Sequence, residues 1–434
     1  MSKINIIGGG LAGSECALYL ANQGYQVNLY DIKGKDRTPA HHSNNYAEIV
    51  CSNSFKSDDD TTASGVFKKE LTLLGSELIE TAYNCRVPAG HALAVDRDKF
   101  SQIITEKIKN NKNIKLFCED VDYIDPNAVT IIATGPLTTN KMCDVLKEKI
   151  GSDFLYFYDA AAPIISADSI DMNKAFFGAR YDKGDADYLN CAMNRDEYAN
   201  FYNELVNAEV VNLHEFEKKN IFESCMPIEI MAKRGLDAIR FGPLKPVGIK
   251  NPNDTNKPYA VVQLRKENNC ATMYNMVGFQ TNLTFGEQKR VFRLIPGLEN
   301  AEFLRYGVMH TNNFVNFPKC LDKYSRLKND KNVFIAGQLS GVEGYVESIA
   351  SGLYCAINVD RMLRNKELIS FSPDTIIGGL YNYLVNANTN NFQPINANFG
   401  ILNTINERDK AKRNIEYRDR SLREIKLRLE EIKE

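Results

Sequence analysis

The isoleucines at positions 4, 6 and 7 of "KINII" predict a short buried strand. "GGGLAGSECALYLANQG" continues as a turn and a helix, and residues 26–31, "QVNLYD", as a second strand ending in an acid. A polar stretch runs from about 33 to 62, a length that in a compact domain is usually functional or disordered. Residues 63–82 return to helical periodicity, with Phe67, Leu71, Leu74 and Leu78 on one face. "AVDRDKFSQIITEKIKN" predicts another helix, capped by Asp96 or Asp98. "AVTIIATG", residues 128–135, is a buried strand closing on a glycine.

From about 166 to 304 the pattern changes to polar helices and antiparallel-type strands such as "YAVVQLR". "NVFIAGQLSG", residues 332–341, is again a buried strand closing on glycine, and "GYVESIASGLYCAINVDRML" a helix. Residues 407–434 carry ten basic and eight acidic side chains, with Leu422, Ile425, Leu429 and Ile432 as a narrow helical seam. The expected fold class is α/β: a dinucleotide-binding domain from residues 1–165 and 305–400, interrupted by an α+β insertion at 166–304. A charged helical tail, 401–434, follows.

Gly8, Gly10 and Gly13 stand as G-x-G-x-x-G between the first strand and the helix. In that context the first glycine allows the tight turn, the second lets backbone approach a pyrophosphate, and the third lets helix pack on strand. Asp31 ends the next strand, placed for ribose hydroxyls. Gly135 and Gly337, each closing a strand, favour FAD over NAD and a Rossmann-like fold of the two-dinucleotide type. Many such flavoproteins have Asp after the second of these glycines; Gln338 stands there instead.

Lys plus Arg number 53 and Asp plus Glu 55, so any phosphate-binding surface must be a local patch. Ten cysteines are scattered with no C-x-x-C pair, which argues against a zinc ribbon or a dithiol and fits a reducing cytoplasm. No metal and no membrane span are expected. Two thiols are unusually placed. Cys51 opens the polar run "CSNSFKSDDD", whereas a free cysteine usually behaves as a small buried hydrophobe. Cys225 sits in "FESCMPIE", near Lys233 and Arg234.

Several stretches together, among them "EIVCSNS", "VPAGHALAVDR", "FGPLKPVG", "VVQLR", "VGFQTNL" and "IAGQLSGVEGYVESIASG", resemble the folate- and FAD-dependent RNA uracil-5-methyltransferases, the TrmFO family, from residue 3 to about 400. The resemblance implies transfer of a one-carbon unit from 5,10-methylenetetrahydrofolate, through reduced FAD, to C5 of a uridine, with NADPH or NADH restoring the flavin. It implies an RNA partner, the tRNA T-loop or, in one branch, 23S rRNA.

Uracil C5 is a poor nucleophile until a thiolate adds at C6, so the chemistry needs an accessible, activated cysteine. By the family pattern Cys225 is the thiol that attacks the base, and Cys51 a second catalytic thiol near the flavin that helps remove the C5 proton. Glu343 is a candidate to hold the pterin, whose donors suit a carboxylate. His41 and His42 are weaker candidates for steadying FAD or folate. Lys233, Arg234, Arg240, Lys245, Lys289 and Arg290 are candidates for phosphate contact. Two rival functions are a plain FAD oxidoreductase with thiol redox and a flavin-bearing RNA-binding protein without transfer chemistry. The first calls for closely spaced cysteines, which are absent; the presence of both Cys51 and Cys225 argues against the second.

Overall fold

The computed structural model describes residues 3–38, 40–151, 155–182, 185–211, 226–252 and 256–433. At its centre five parallel strands lie in the order Val333–Ile335, Val129–Ile132, Ile4–Ile7, Val27–Asp31, Ile114–Cys118. Ile4 faces Val27 on one side and Val129 on the other. The first strand is buried along its whole length, as expected of a parallel strand covered on both faces. Helices Leu11–Asn22 and Tyr345–Leu363 pack together on the sheet. They meet at Gly352, where a Cβ would lie 2.3 Å from the Ala12 carbonyl oxygen.

The apolar period over 63–82 yields two helices, Ala63–Leu73 and Glu77–Asn84, not one. Gly75 adopts φ +80° and Ser76 caps the second helix by accepting from the Ile79 N–H, so the chain turns while its apolar residues stay inward. Of the two candidate caps of the following helix, Asp96 does the work, accepting from the Lys99 N–H at 3.1 Å. The polar stretch 33–62 is partly structured. Ser54–Ser57 pairs with Ala92–Val95, and a buried Lys33–Glu48 ion pair (3.4 Å) ties the preceding loop together.

A second, antiparallel sheet has six strands in the order Ala175–Phe177, Leu189–Met193, Ala260–Lys266, Met273–Met276, Ile164–Ser166, Phe303–Arg305. One face builds a separate apolar core with helices Arg195–Asn207 and Phe285–Phe292. The chain enters and leaves this unit through a two-stranded ribbon, Leu155–Ala160 against Met309–Phe314.

The C-terminal helix, Lys410–Lys433, lies on Ala63–Leu73. Its buried stripe is Tyr417, Ser421 and Ile425, while Leu422, Leu429 and Ile432 are only partly covered. Ile425, Leu429 and Ile432 of the expected seam pack on the core, and the stripe continues toward the N-terminus through Tyr417 and Ser421, which donates to the buried carboxylate of Glu70. Among the described residues no helix is long and apolar enough to cross a membrane, and no group of three potential metal ligands occurs.

Candidate active site

A cleft with about 1120 Å³ of unfilled space, counting its open mouth, runs along the C-terminal ends of the parallel strands. Gly8, Gly10, Asp31, Gly135 and Gly337 all line it. Gly8 has φ +102°, and a Cβ there would sit 2.5 Å from the Ala133 carbonyl oxygen. Gly13 does not line the cleft. Its missing side chain lets the helix approach the strand, since a Cβ would lie 1.8 Å from the Gly8 carbonyl oxygen. Gly10 differs: a Cβ would meet nothing within 4 Å, so only a ligand would feel it. Gly10 also N-caps Leu11–Asn22 without any side-chain cap, so this helix presents N–H groups and its positive dipole end to the cleft.

Asp31 accepts from the Gly9 N–H at 2.6 Å and the Lys33 N–H at 2.8 Å, which fixes its carboxylate at the cleft wall. His41 also lines the cleft. Burial, then the Lys33 charge, pushes its pKa down to about 4, so its ring is neutral at pH 7. The His42 side chain does not reach the cleft; its N–H donates to Glu48. Gln338 lines the cleft, but Glu343 is buried beside it and accepts from the Gln338 amide. Glu343 itself does not line the cleft.

Cys51 is half-buried where this domain meets the insertion. Its N–H and that of Ser52 donate to the Tyr345 hydroxyl at 2.8 and 3.1 Å, and its Sγ lies 3.9 Å from the Ala160 carbonyl oxygen. Tyr345 itself lines the cleft, which links the thiol's loop to the dinucleotide channel. Burial, then the nearby Cys51, pushes the Tyr345 hydroxyl pKa up, so it stays a neutral acceptor. Arg97 donates to the Ile49 carbonyl at 2.7 Å and pairs with Glu267 of the insertion at 3.0 Å. Arg97 and Arg305 both lie close enough to Cys51 to interact with its charge.

Cys225 falls outside the described residues. Of the basic candidates, Lys233, Arg234, Lys245 and Lys289 are exposed. Arg240 sits 4.1 Å over the Tyr259 ring, and Arg290 pairs with Glu287 and Glu204. None of the six lines the cleft. Sequence patterns singled out neither Tyr345 nor Arg97, Glu267 and Asn53. The one available signal was charge inside apolar runs, as in "AVDR" and "VVQLRKE".

A parallel sheet, a glycine loop with an acid on the next strand, and a cleft along the C-terminal ends of the strands define a Rossmann-like dinucleotide-binding α/β protein. The family model of glucose inhibited division protein A matches residues 3–367. A methylenetetrahydrofolate–tRNA-(uracil-5-)-methyltransferase TrmFO from Halalkalibacterium halodurans is 52% identical over 399 residues, 92% of each chain, and one from Acetivibrio thermocellus 53% identical over the same shares. The chain belongs to this family. The structure of Aquifex aeolicus GidA in its form II crystal has the same fold, with a TM-score of 0.70 at 16% identity, covering 98% of this chain and 73% of that one.

Proposed function

We propose that the chain is a methylenetetrahydrofolate-dependent tRNA uracil-5-methyltransferase that holds FAD in the glycine-lined cleft and works with Cys51 and Cys225. The observation that carries this is Tyr345, which lines the cleft and whose hydroxyl holds the backbone of Cys51 and Ser52. The fit to FAD rests on the open space beyond Gly10, the uncapped helix end and the fixed Asp31 carboxylate. Bound there in reduced form, FAD supplies the electrons and carries the one-carbon unit, and a nicotinamide coenzyme is the reductant of the cycle.

The chain's own residues do the rest. Addition of the Cys225 thiolate forms an S–C6 bond and makes C5 nucleophilic. Once carbon is joined to C5, Cys51 takes the C5 proton, and expulsion of the Cys225 thiolate restores the ring. Arg97 and Arg305 place positive charge near Cys51.

Mass mapping of 5-methyluridine in tRNA and 23S rRNA from a deletion strain tests the activity. Loss from tRNA is expected; loss from 23S rRNA alone would reassign the substrate. With RNA carrying 5-fluorouridine, whose C5 fluorine cannot leave as a proton does, a covalent complex should accumulate. Cys225→Ala should abolish it with flavin retained, whereas trapping lost in Cys51→Ala and kept in Cys225→Ala would reverse the two roles.

A further inference from the structure

The insertion sheet turns a polar row toward Cys51. Residues directly opposite one another in antiparallel strands project from the same face. Arg265 pairs with Asn275, Asn275 with Ile164, and Ile164 with Arg305. The row faces the Cys51 loop at both ends. Arg265 donates to the Asn53 side chain at 2.8 Å, two residues from Cys51, and Asn53 donates back to the Lys266 carbonyl at 2.9 Å. Arg305 donates to the Ala40 carbonyl at 3.3 Å and lies near both Cys51 and Tyr345.

Neighbouring polar groups on this face are satisfied: Gln263 donates to Asn190 at 3.1 Å and accepts from Arg180 at the same distance. Two donors are not. Asn275 is 2% exposed, and neither its Nδ2 nor the buried Nε of Arg305 has a partner among the described residues. Buried donors without acceptors are rare enough in folded proteins to need a reason. The strands that carry these two residues are separated by one strand, about 10 Å at ordinary sheet spacing. That spacing matches the span of one six-membered ring with a hydrogen bond on either side, with Ile164 on the intervening strand opposite both residues and a bulge between Phe303 and Arg305.

We propose that Asn275 Nδ2 and Arg305 Nε bind the two ring carbonyl oxygens of the target uracil beside the Cys51 loop. The assignment rests on the methyltransferase reading above. Thiolate addition at C6 moves the C5=C6 electron pair onto the C4–O4 unit, so a donor at O4 holds the adduct more strongly than the ground state. The pyrimidine end of a flavin presents the same pair of carbonyl oxygens, and the test must separate the two.

The test uses full-length protein with Asn275→Leu, which keeps volume and removes the donor, and Arg305→Lys, which keeps charge and removes Nε. Four quantities are read: flavin absorbance per chain, melting temperature, affinity for a tRNA transcript, and the rate of covalent trapping by the same transcript made with 5-fluorouridine. The expected result is trapping slowed by about 100-fold, with flavin content, spectrum, melting temperature and tRNA affinity unchanged. Trapping at the wild-type rate would overturn the proposal. So would a lost or shifted flavin spectrum, which assigns the donors to the flavin ring, or a matching loss of tRNA affinity, which assigns them to the RNA backbone. Wild-type protein that never traps the transcript would instead sink the methyltransferase reading itself.

Discussion

Three glycines of one motif meet three different surroundings, and substitution should separate them. At Gly10 the backbone is ordinary (φ −74°, ψ −162°) and a Cβ meets nothing, so Gly10→Val should fold and melt like the parent yet purify without flavin. At Gly13 a Cβ would strike the Gly8 carbonyl, so Gly13→Ala should lower stability by about 1–3 kcal/mol or more. Absorbance near the flavin band and a melting curve on each variant check both, and a Gly10→Val protein with full flavin content would remove the pyrophosphate from that position. The loop was legible in the sequence because its constraint is local, a strand, a tight turn and a helix within a dozen residues. The setting of Cys51 was legible only in outline. Its polar neighbours agree with its half-buried setting, but the hydroxyl that holds it lies 294 residues away, and no local pattern encodes such a partner. Gln338 stands where many such flavoproteins have an acid, and the nearby acid, Glu343, contributes nothing to the cleft wall itself but accepts from the Gln338 amide.

Helix ends carry much of the tertiary information. Glu15 accepts from the N–H groups of Glu77 and Leu78, and Glu70 from those of Ile376 and Ile377 at the start of helix Ile376–Asn386. Each joins a helix to a distant one through a buried carboxylate at the positive end of the dipole. Burial outweighs these donors and pushes both pKa values up to about 7. The folded chain thus holds these protons more tightly than the unfolded chain, whose carboxyls titrate near 4.5. The resulting stabilisation is complete below pH 4.5 and is lost as pH rises to about 7, at most roughly 3 kcal/mol per site. The stability difference between the parent and Glu70→Gln should therefore shift against the parent between pH 5 and 8, as read by urea denaturation at each pH. A difference independent of pH would contradict it. Such caps were invisible beforehand, since Glu15 reads only as an interruption of an apolar run. Gly75 was hidden for the opposite reason, because the apolar period continues through it into the next helix.

On the scale of the molecule, two cores built on two sheets meet at a polar seam beside Cys51. The texture of the sequence changes at about 166 and 304, and the antiparallel sheet runs from Ile164 to Arg305. The contacts that seat it were not legible in the sequence, because they pair single residues from distant segments. Arg97 and Glu267 are the clearest example, with side chains only 11% and 1% exposed. Arg97→Met would leave Glu267 charged and buried without its partner, a cost of about 3–5 kcal/mol. The variant should melt at lower temperature, and limited proteolysis should open the junction near the ribbon before it attacks the parallel sheet. Cleavage at the same sites and rate as the parent would mean that the pair does not hold the two units together.

The ribbon has a consequence for how such a chain could have been assembled. Ala160 and Met309 are paired neighbours across it, so the 148 residues between them begin and end at one point in space. A two-residue hairpin turn closes such a gap in ordinary proteins. Everything from Ala161 to Val308 is thus a loop in the topological sense, removable or exchangeable without rethreading the parallel sheet. A gene fusion at a single hairpin would be enough to add such a module to a nucleotide-binding sheet, and swapping the module leaves the sheet's own threading intact.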